Sequence, residues 1–210
     1  MAWLKAHGIE LLVHAAATGI WIWLLWDYTR GNLGANPIAQ VEIRSGKYTL
    51  NILVLTLACS PAYNFRGFKP LLSLRRLLGF YSFIFAGLHL MAFAGLHMMA
   101  FVGLDYRFDF STLWADIGSK RFVLIGLAAF LILLALTLTS SEGWKKRLGK
   151  NWKRLHRLLY AAVLLAALHF IWQTKVDYRL PLIYTGVVVF LLVLRLPWVR
   201  RNLRHLPPSH

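Results

Sequence analysis

Six stretches of the chain consist almost entirely of apolar residues, and each is bounded by charged or turn-forming residues. They cover residues 9–26, 48–63, 77–104, 122–139, 158–174 and 180–198. A helix that crosses the hydrocarbon core of a bilayer needs about 20 apolar residues, because each backbone amide must find its partner inside the helix. The pattern predicts an all-α integral membrane bundle of six transmembrane helices, formed as one domain over residues 1–210.

The basic residues predict how this bundle sits in the membrane. Fifteen Lys and Arg residues fall in the two termini and in the loops on their side of the bundle. Eight fall in the opposite loops, together with six of the eight acidic residues. By the positive-inside rule, both termini are cytoplasmic. The net charge of +16 then reflects topology and attraction to anionic membrane lipid, and nucleic acid is not expected as a partner of a chain that is 58% hydrophobic.

A single cysteine limits the redox chemistry that the chain can carry by itself. Cys59 lies in the second apolar stretch, and one thiol can form neither an internal disulfide nor an iron–sulfur cluster. The longest cytoplasmic segment is shorter than twenty residues, which leaves no room for a βαβ unit that binds nicotinamide or FAD. Reducing equivalents are therefore expected to come from a separate donor.

Histidines inside the apolar stretches are the candidates for chemistry, because an ionisable residue in a bilayer is costly and usually functional. His89 follows Arg76 by thirteen residues, and His169 follows His156 by thirteen. Thirteen helical residues rise by about 20 Å. The third and fifth stretches run in the same direction, so His89 and His169 are expected at one outer level and Arg76 and His156 at one inner level.

Two imidazoles from facing helices at one depth are the arrangement that a bis-histidine haem requires. Both axial positions of the iron are then filled, so the centre transfers electrons rather than activating oxygen. On an ideal helix, thirteen residues turn the chain so that His156 and His169 point about 140° apart. The two would share one seam of the bundle only if the helix were locally distorted.

Three further residues leave alternatives open. His97 competes with His89 as a haem ligand but differs from it by about 80° of azimuth and 12 Å of depth, and the match in level with His169 favours His89. His97 belongs to a tandem octapeptide, residues 86–93 and 94–101, that lengthens the third stretch. Glu10 and His14 lie on one face of the first helix, where a structural pair and a quinone or proton role are both compatible with the sequence.

Several motifs together resemble a known family. They are the run Arg75-Arg76-Leu77-Leu78-Gly79 that leads to His89, the run from Leu148 through Trp152 to Arg157, the segment His169-Phe170-Ile171-Trp172, the opening Trp3-Leu4-Lys5 and the turn Gly34-Ala35-Asn36-Pro37. In this combination the chain resembles, over nearly its whole length, the MsrQ (YedZ) family of membrane subunits of the bacterial methionine sulfoxide reductase system MsrPQ.

The resemblance implies a ferric-reductase-like transmembrane domain in the bacterial inner membrane that carries haem b. It implies that His89, His156 and His169 occupy the haem-ligand positions. It further implies electrons from a cytosolic flavin reductase or the quinone pool, and a periplasmic molybdopterin subunit that carries out the reduction of methionine sulfoxide. FMN is associated with the family, although the sequence shows no flavin motif. Wider relatives have a fourth histidine where this chain has Arg76, so one haem and two haems both remain open.

Two other functions fit parts of the pattern. A cytochrome b subunit of another respiratory oxidoreductase would also bind haem and would differ in its partner. A small transporter with histidine proton relays would bind no haem and would usually have helices broken in mid-membrane by Gly or Pro. The uninterrupted apolar stretches favour the electron-transfer functions.

Overall fold

The computed structural model describes residues 2–66, 70–103, 118, 120–196 and 199, with side chains from residue 8 to 64 and from 70 to 96 in the first two of these segments. All eight regular elements within these residues are helices. They are α1 (Ala2–Thr29), α2 (Pro37–Arg66), α3 (Pro70–Gly103), α4 (Arg121–Leu138), α5 (Glu142–Leu148), α6 (Lys150–Leu155), α7 (Leu158–Gln173) and α8 (Arg179–Val193).

Four helical segments are long and apolar enough to cross a membrane, namely Gly8–Thr29, Pro70–Leu96, Arg121–Leu138 and Lys150–Gln173. Helix α8 is apolar but shorter, and the first half of α2 carries Glu42, Arg44 and Lys47. The expectation of an all-helical membrane protein is therefore confirmed. The full set of six spans and the cytoplasmic position of the termini remain predictions.

Helix α2 differs most from its predicted bounds, since it begins at residue 37 rather than 48. Asn36 starts it by accepting a hydrogen bond from the Ala39 amide at 3.1 Å, and Pro37 occupies the first helical position, where its missing N–H costs nothing. The added turns contain charged side chains, and a charged segment of this kind is typical of a loop in a membrane protein. One of them, Arg44, forms an ion pair with Asp27 at the end of α1.

The segment between the fourth and fifth predicted spans forms two short helices rather than a loop. Ser141 starts α5 by accepting a hydrogen bond from the Trp144 amide. Gly149 separates α5 from α6 with a φ of 50°, a left-handed conformation that glycine adopts at little cost. These two helices carry basic residues of the expected cytoplasmic face, so this segment of that face is helical.

The core forms where α2 and α3 pack against α4, α7 and α8. Its buried residues include Leu53, Leu57, Ala162, Val163 and Val188. A second cluster joins α1 to α2 and α3 around Phe85, whose ring stacks on Trp21 with centroids 5.3 Å apart. Large apolar side chains cover the outside, as expected for a bundle whose solvent is lipid.

Candidate functional site

His89 on α3 and His169 on α7 face each other across the bundle. Their ring centroids lie 6.0 Å apart, and the ring planes form an angle of 83°. Both side chains are half-buried. The two histidines that the sequence places at one level are thus brought together.

One nitrogen of each ring forms a hydrogen bond that fixes the orientation of the ring. Nδ1 of His89 donates to the carbonyl oxygen of Glu42 at 2.8 Å, and Nδ1 of His169 donates to that of Phe122 at 2.7 Å. A carbonyl can only accept, so the proton is on Nδ1 and the Nε2 lone pair is free. Histidines that bind metals are usually oriented by a hydrogen bond of this kind.

A glycine lies next to each ring, and because it has no side chain the ring can lie against a neighbouring helix. A Cβ atom on Gly46 of α2 would lie 3.0 Å from His89 Nδ1, and one on Gly126 of α4 would lie 2.8 Å from His169 Nδ1. Any larger residue would push the ring away. The sequence analysis missed both glycines; each stands four positions after the residue whose carbonyl accepts the hydrogen bond.

An apolar cavity of about 310 Å³ surrounds the pair. Its walls come from α2, α3, α4, α7 and α8 and include the aromatic rings of Phe93, Phe122, Phe130 and Tyr184. Glu42, Lys47 and Gln173 contribute polar groups to its lining. Such a cavity suits a large, flat and mostly apolar ligand that is held by a few polar groups.

A second cavity, of about 380 Å³, lies toward the expected cytoplasmic side and contains the two inner-level residues, Arg76 and His156. Leu133 lines both cavities, so the two are neighbours. The walls of the second cavity are strongly basic, with six cationic side chains: Arg75, Arg76, Lys145, Lys153, Arg157 and Arg195. One carboxylate, that of Glu142, balances them there and lies 3.8 Å from Arg76.

His156 is held differently from the two outer histidines. It ends α6, and α7 begins only at Leu158, so a turn interrupts the helix on which the sequence analysis placed both His156 and His169. Its Nε2 lies 3.3 Å from the Thr139 hydroxyl, and its ring stacks on Trp152 with centroids 4.0 Å apart. The two histidines of this segment therefore face separate cavities.

Arg195 is a residue to which the sequence analysis gave no role. It donates to the Tyr160 hydroxyl at 2.7 Å and to the Leu57 carbonyl. That carbonyl would normally accept from the amide four residues later, but this position is Pro61, which has no N–H. Arg195 thus satisfies a carbonyl that proline leaves free, and a basic residue inside an apolar stretch was the available signal.

Of the remaining candidate residues, the structure describes a partner for His14 but not the side chain of His97. His14 forms a hydrogen bond of 2.7 Å with the hydroxyl of Tyr81 on α3, so its described partner is Tyr81 rather than Glu10. The side chain of His97 lies outside the described residues, and its competition with His89 remains untested.

Residues 45–167 match the family described as the ferric reductase like transmembrane component. This chain belongs to that family. The predicted resemblance to a ferric-reductase-like domain is thereby confirmed, and the matched residues include His89 and His156 and end two residues before His169.

Curated relatives give a closer comparison. The chain is 37% identical over 201 residues to the protein-methionine-sulfoxide reductase heme-binding subunit MsrQ of Xanthomonas axonopodis pv. citri, covering 93% of this chain and 88% of the relative. It is 38% identical over 190 residues to the MsrQ of Rhodospirillum rubrum, covering 90% and 88%. The similarity therefore extends beyond the family match to nearly the whole chain.

Proposed function

We propose that this protein is the haem-binding, electron-transfer subunit of a membrane methionine sulfoxide reductase system, with haem b held between His89 and His169. The facing pair of imidazoles carries this proposal. Metal–imidazole bonds are about 2 Å long, so two imidazoles that share one metal have centroids roughly 6 Å apart. The pair has a separation of 6.0 Å, with both Nε2 atoms free to bind.

The surroundings of the pair suit the porphyrin as well as the iron. The cavity is apolar and aromatic over most of its wall, and the cationic side chain of Lys47 in its lining would suit an anionic propionate. When bound with two axial histidines, haem accepts and releases one electron at a time. The chain supplies the fixed ligands, the apolar walls that exclude water and the outer position from which a periplasmic partner is reached.

We infer one haem rather than two. A second haem in the inner cavity would need a ligand opposite His156, and the described residues that line this cavity include no other histidine. The hydrogen bond between His156 Nε2 and the Thr139 hydroxyl occupies the nitrogen that the outer histidines keep free. His156 and Arg76 remain cofactor-binding candidates of a different kind, because the basic walls suit an anionic group such as the phosphate of FMN.

Electrons then cross the bundle from the cytoplasm outward, through six spans of the inner membrane whose termini are both cytoplasmic. A cytosolic flavin reductase or the quinone pool supplies them, the reductase at the basic inner cavity, and Leu133 lines both this cavity and the haem site. A periplasmic molybdopterin subunit accepts them and reduces methionine sulfoxide, so the bond-breaking chemistry takes place on that partner. The printed names of the relatives, which join heme binding to methionine sulfoxide reduction, support this assignment.

A spectrum and a reoxidation assay test the proposal. The purified protein should show a reduced-minus-oxidised spectrum of b-type haem at one haem per chain, and a molybdopterin methionine sulfoxide reductase should reoxidise it when methionine sulfoxide is present. Absence of haem would overturn the proposal and favour a transporter. Haem that only a different respiratory acceptor reoxidises would favour another cytochrome b subunit.

A further inference from the structure

The inner cavity, which contains Arg76 and His156, has more positive charge than its own side chains balance. Six of its described lining residues are cationic, against the one carboxylate of Glu142. That carboxylate is shared, since Oε1 lies 3.8 Å from Nη1 of Arg76 and Oε2 lies 3.4 Å from Nζ of Lys145. The described residues include no acidic partner for Lys153 or Arg157. Cations gathered in this way repel one another unless an anion lies among them.

A buried donor at the same cavity also lacks a partner. Arg195 lines the cavity and uses its two terminal nitrogens for the Tyr160 hydroxyl and the Leu57 carbonyl. Its Nε atom is buried and has no hydrogen-bond partner among the described residues. Buried donors nearly always have a partner, and an unpaired one on a charged group is especially costly. The unpaired nitrogen and the unbalanced charge together indicate an anion that carries acceptor oxygens.

The other walls of the inner cavity are apolar and extend to the lipid. They include three leucines, Leu72, Leu133 and Leu136. Phe80 also lines the cavity, and 49% of its surface is exposed. It belongs to the candidate membrane span Pro70–Leu96, on which an exposed phenyl ring faces acyl chains. The anion that suits this cavity therefore has an apolar part that can enter from the bilayer.

The phosphate of a phospholipid and that of a flavin nucleotide would use the same cations, and the aromatic rings of the cavity favour the lipid. A flavin ring binds best where it can stack on an aromatic face. The ring of Trp152 is already stacked on His156, with centroids 4.0 Å apart. The guanidinium of Arg195 lies 4.9 Å from the ring centroid of Tyr160. Phe80 is the remaining aromatic ring among the described lining residues, and an acyl chain can lie along it without stacking.

We propose that the inner cavity is a specific site for an anionic phospholipid of the bilayer. Its phosphate oxygens accept hydrogen bonds from Arg76 on α3, Lys153 on α6 and Arg157 at the start of α7. One acyl chain lies along Phe80 and Leu136. Basic cavities between membrane helices on the cytoplasmic side bind acidic headgroups in this way.

This site differs from the general attraction of a basic face for anionic lipid, because its cations come from several helices and surround one cavity. The bound lipid links these helices and reduces the repulsion among their cations. A ligand that binds only the folded state stabilises it, so the lipid should raise the temperature of unfolding. The proposal concerns the inner cavity alone and goes beyond the proposed function, since the lipid carries no electrons.

Native mass spectrometry of the full chain, after its lipids are exchanged for detergent, tests the site directly. Phosphatidylglycerol should bind at one molecule per chain and at least about tenfold more tightly than phosphatidylcholine with the same acyl chains, because only phosphatidylglycerol has a net negative charge. An excess of FMN or of inorganic phosphate should not displace it, since neither has an acyl chain. Equal affinities for the two lipids, or displacement by FMN or by phosphate, would overturn the lipid site.

Two double variants separate one site from a general attraction. Lys153→Gln with Arg157→Gln removes two cations from the cavity and should weaken the binding of phosphatidylglycerol at least about tenfold. Lys150→Gln with Arg154→Gln removes the same charges from the same basic segment but outside the cavity lining, and should leave the affinity unchanged. Circular dichroism of both variants should match that of the unmodified chain.

Thermal unfolding gives a second measurement on the same proteins. Phosphatidylglycerol should raise the unfolding temperature of the unmodified chain and of the variant altered at Lys150 and Arg154, but not that of the variant altered at Lys153 and Arg157. Equal losses of affinity in the two double variants, or unchanged affinity in both, would refute the proposal. None of these measurements involves electron transfer, so failure of the lipid site is distinguished from failure of the proposed function.

Discussion

The rings of His89 and His169 are oriented by the same arrangement of a backbone carbonyl and a glycine, on two different pairs of helices. In each case Nδ1 donates to a carbonyl 47 residues earlier in the chain, and a glycine four positions after that carbonyl makes room for the ring. The hairpin of α2 and α3 and the pair α4 and α7 thus present equivalent imidazoles to one cavity. This repetition explains why two helices so far apart in sequence supply a matched pair.

Loss of either outer histidine should abolish most haem incorporation. His89→Ala and His169→Ala each leave one axial position of the iron empty in an apolar cavity, and haem content per purified chain measures the result. His97→Ala should lose much less. His169→Met should retain some haem at a raised reduction potential, since methionine can replace histidine as an axial ligand. Normal haem loading in both alanine variants would refute the assignment.

The two glycines should control the orientation of the ligands. Gly126→Ala places a methyl group 2.8 Å from His169, and Gly46→Ala places one 3.0 Å from His89, so each ring must tilt away from its carbonyl. Electron paramagnetic resonance of the ferric haem reports the angle between the axial imidazole planes and should change in both variants, with a shifted reduction potential.

Matched controls exist for these substitutions. A Cβ atom on Gly87 of α3 or on Gly186 of α8 would meet no atom within 4 Å, and alanine is the better helix former by about 1 kcal/mol. Gly87→Ala and Gly186→Ala should leave the resonance spectrum unchanged. If all four variants gave the same spectrum, the glycines would have no positioning role.

The sequence allows prediction of the elements that follow apolar periodicity but not of those that depend on partners. The bounds of α4 and α7 agree with the predicted stretches within a residue, because their ends coincide with the ends of apolar runs. The early start of α2 could not be predicted, because the charged residues Glu42, Arg44 and Lys47 are typical of a loop. Only the structure shows that Arg44 pairs with Asp27. The contact between His14 and Tyr81 joins residues that no local pattern connects.

The inner histidine should influence the arrival of electrons rather than the haem itself. His156 lies in the basic cavity beside Trp152 and is separated from the outer pair by Leu133. His156→Ala should therefore slow reduction by a cytosolic flavin reductase, while the haem spectrum and the rate with dithionite stay unchanged. Stopped-flow absorption at the haem band measures both rates. Unchanged kinetics with the reductase would reduce His156 to a structural residue at the membrane boundary.

Arg195 should stabilise the bundle through the carbonyl that Pro61 leaves free. Arg195→Leu removes the donor to Leu57 and should cost about 1–3 kcal/mol, the penalty of an unpaired buried acceptor. Thermal unfolding in detergent measures the loss. The change Pro61→Ala returns an amide to the helix, so Arg195→Leu should cost less in that background. Equal losses in both backgrounds would show that the contact with Leu57 is not the source of the stability.

The proposed direction of electron flow rests on the difference in charge that the sequence predicts between the two faces of the bundle. The face predicted to be cytoplasmic carries fifteen Lys and Arg residues, which can steer an acidic donor toward the inner cavity at a rate that falls as salt screens the field. By the charge pattern the opposite loops are nearly neutral, so we expect a periplasmic acceptor to dock there by short-range polar contacts.

Sealed vesicles of known orientation test this direction. In inside-out vesicles, a cytosolic reductase added outside should reduce the haem, with a rate that declines as ionic strength rises. The molybdopterin partner should reoxidise the haem only when it is trapped inside, because its docking face is then the inner one. In right-side-out vesicles the two proteins should exchange sides. The molybdopterin partner should reoxidise the haem from outside, and the reductase should reduce it only when trapped inside. Reduction of the haem by reductase confined to the exterior of right-side-out vesicles would mean that the basic face is not the cytoplasmic one, and the assignment of donor and acceptor sides would then be reversed.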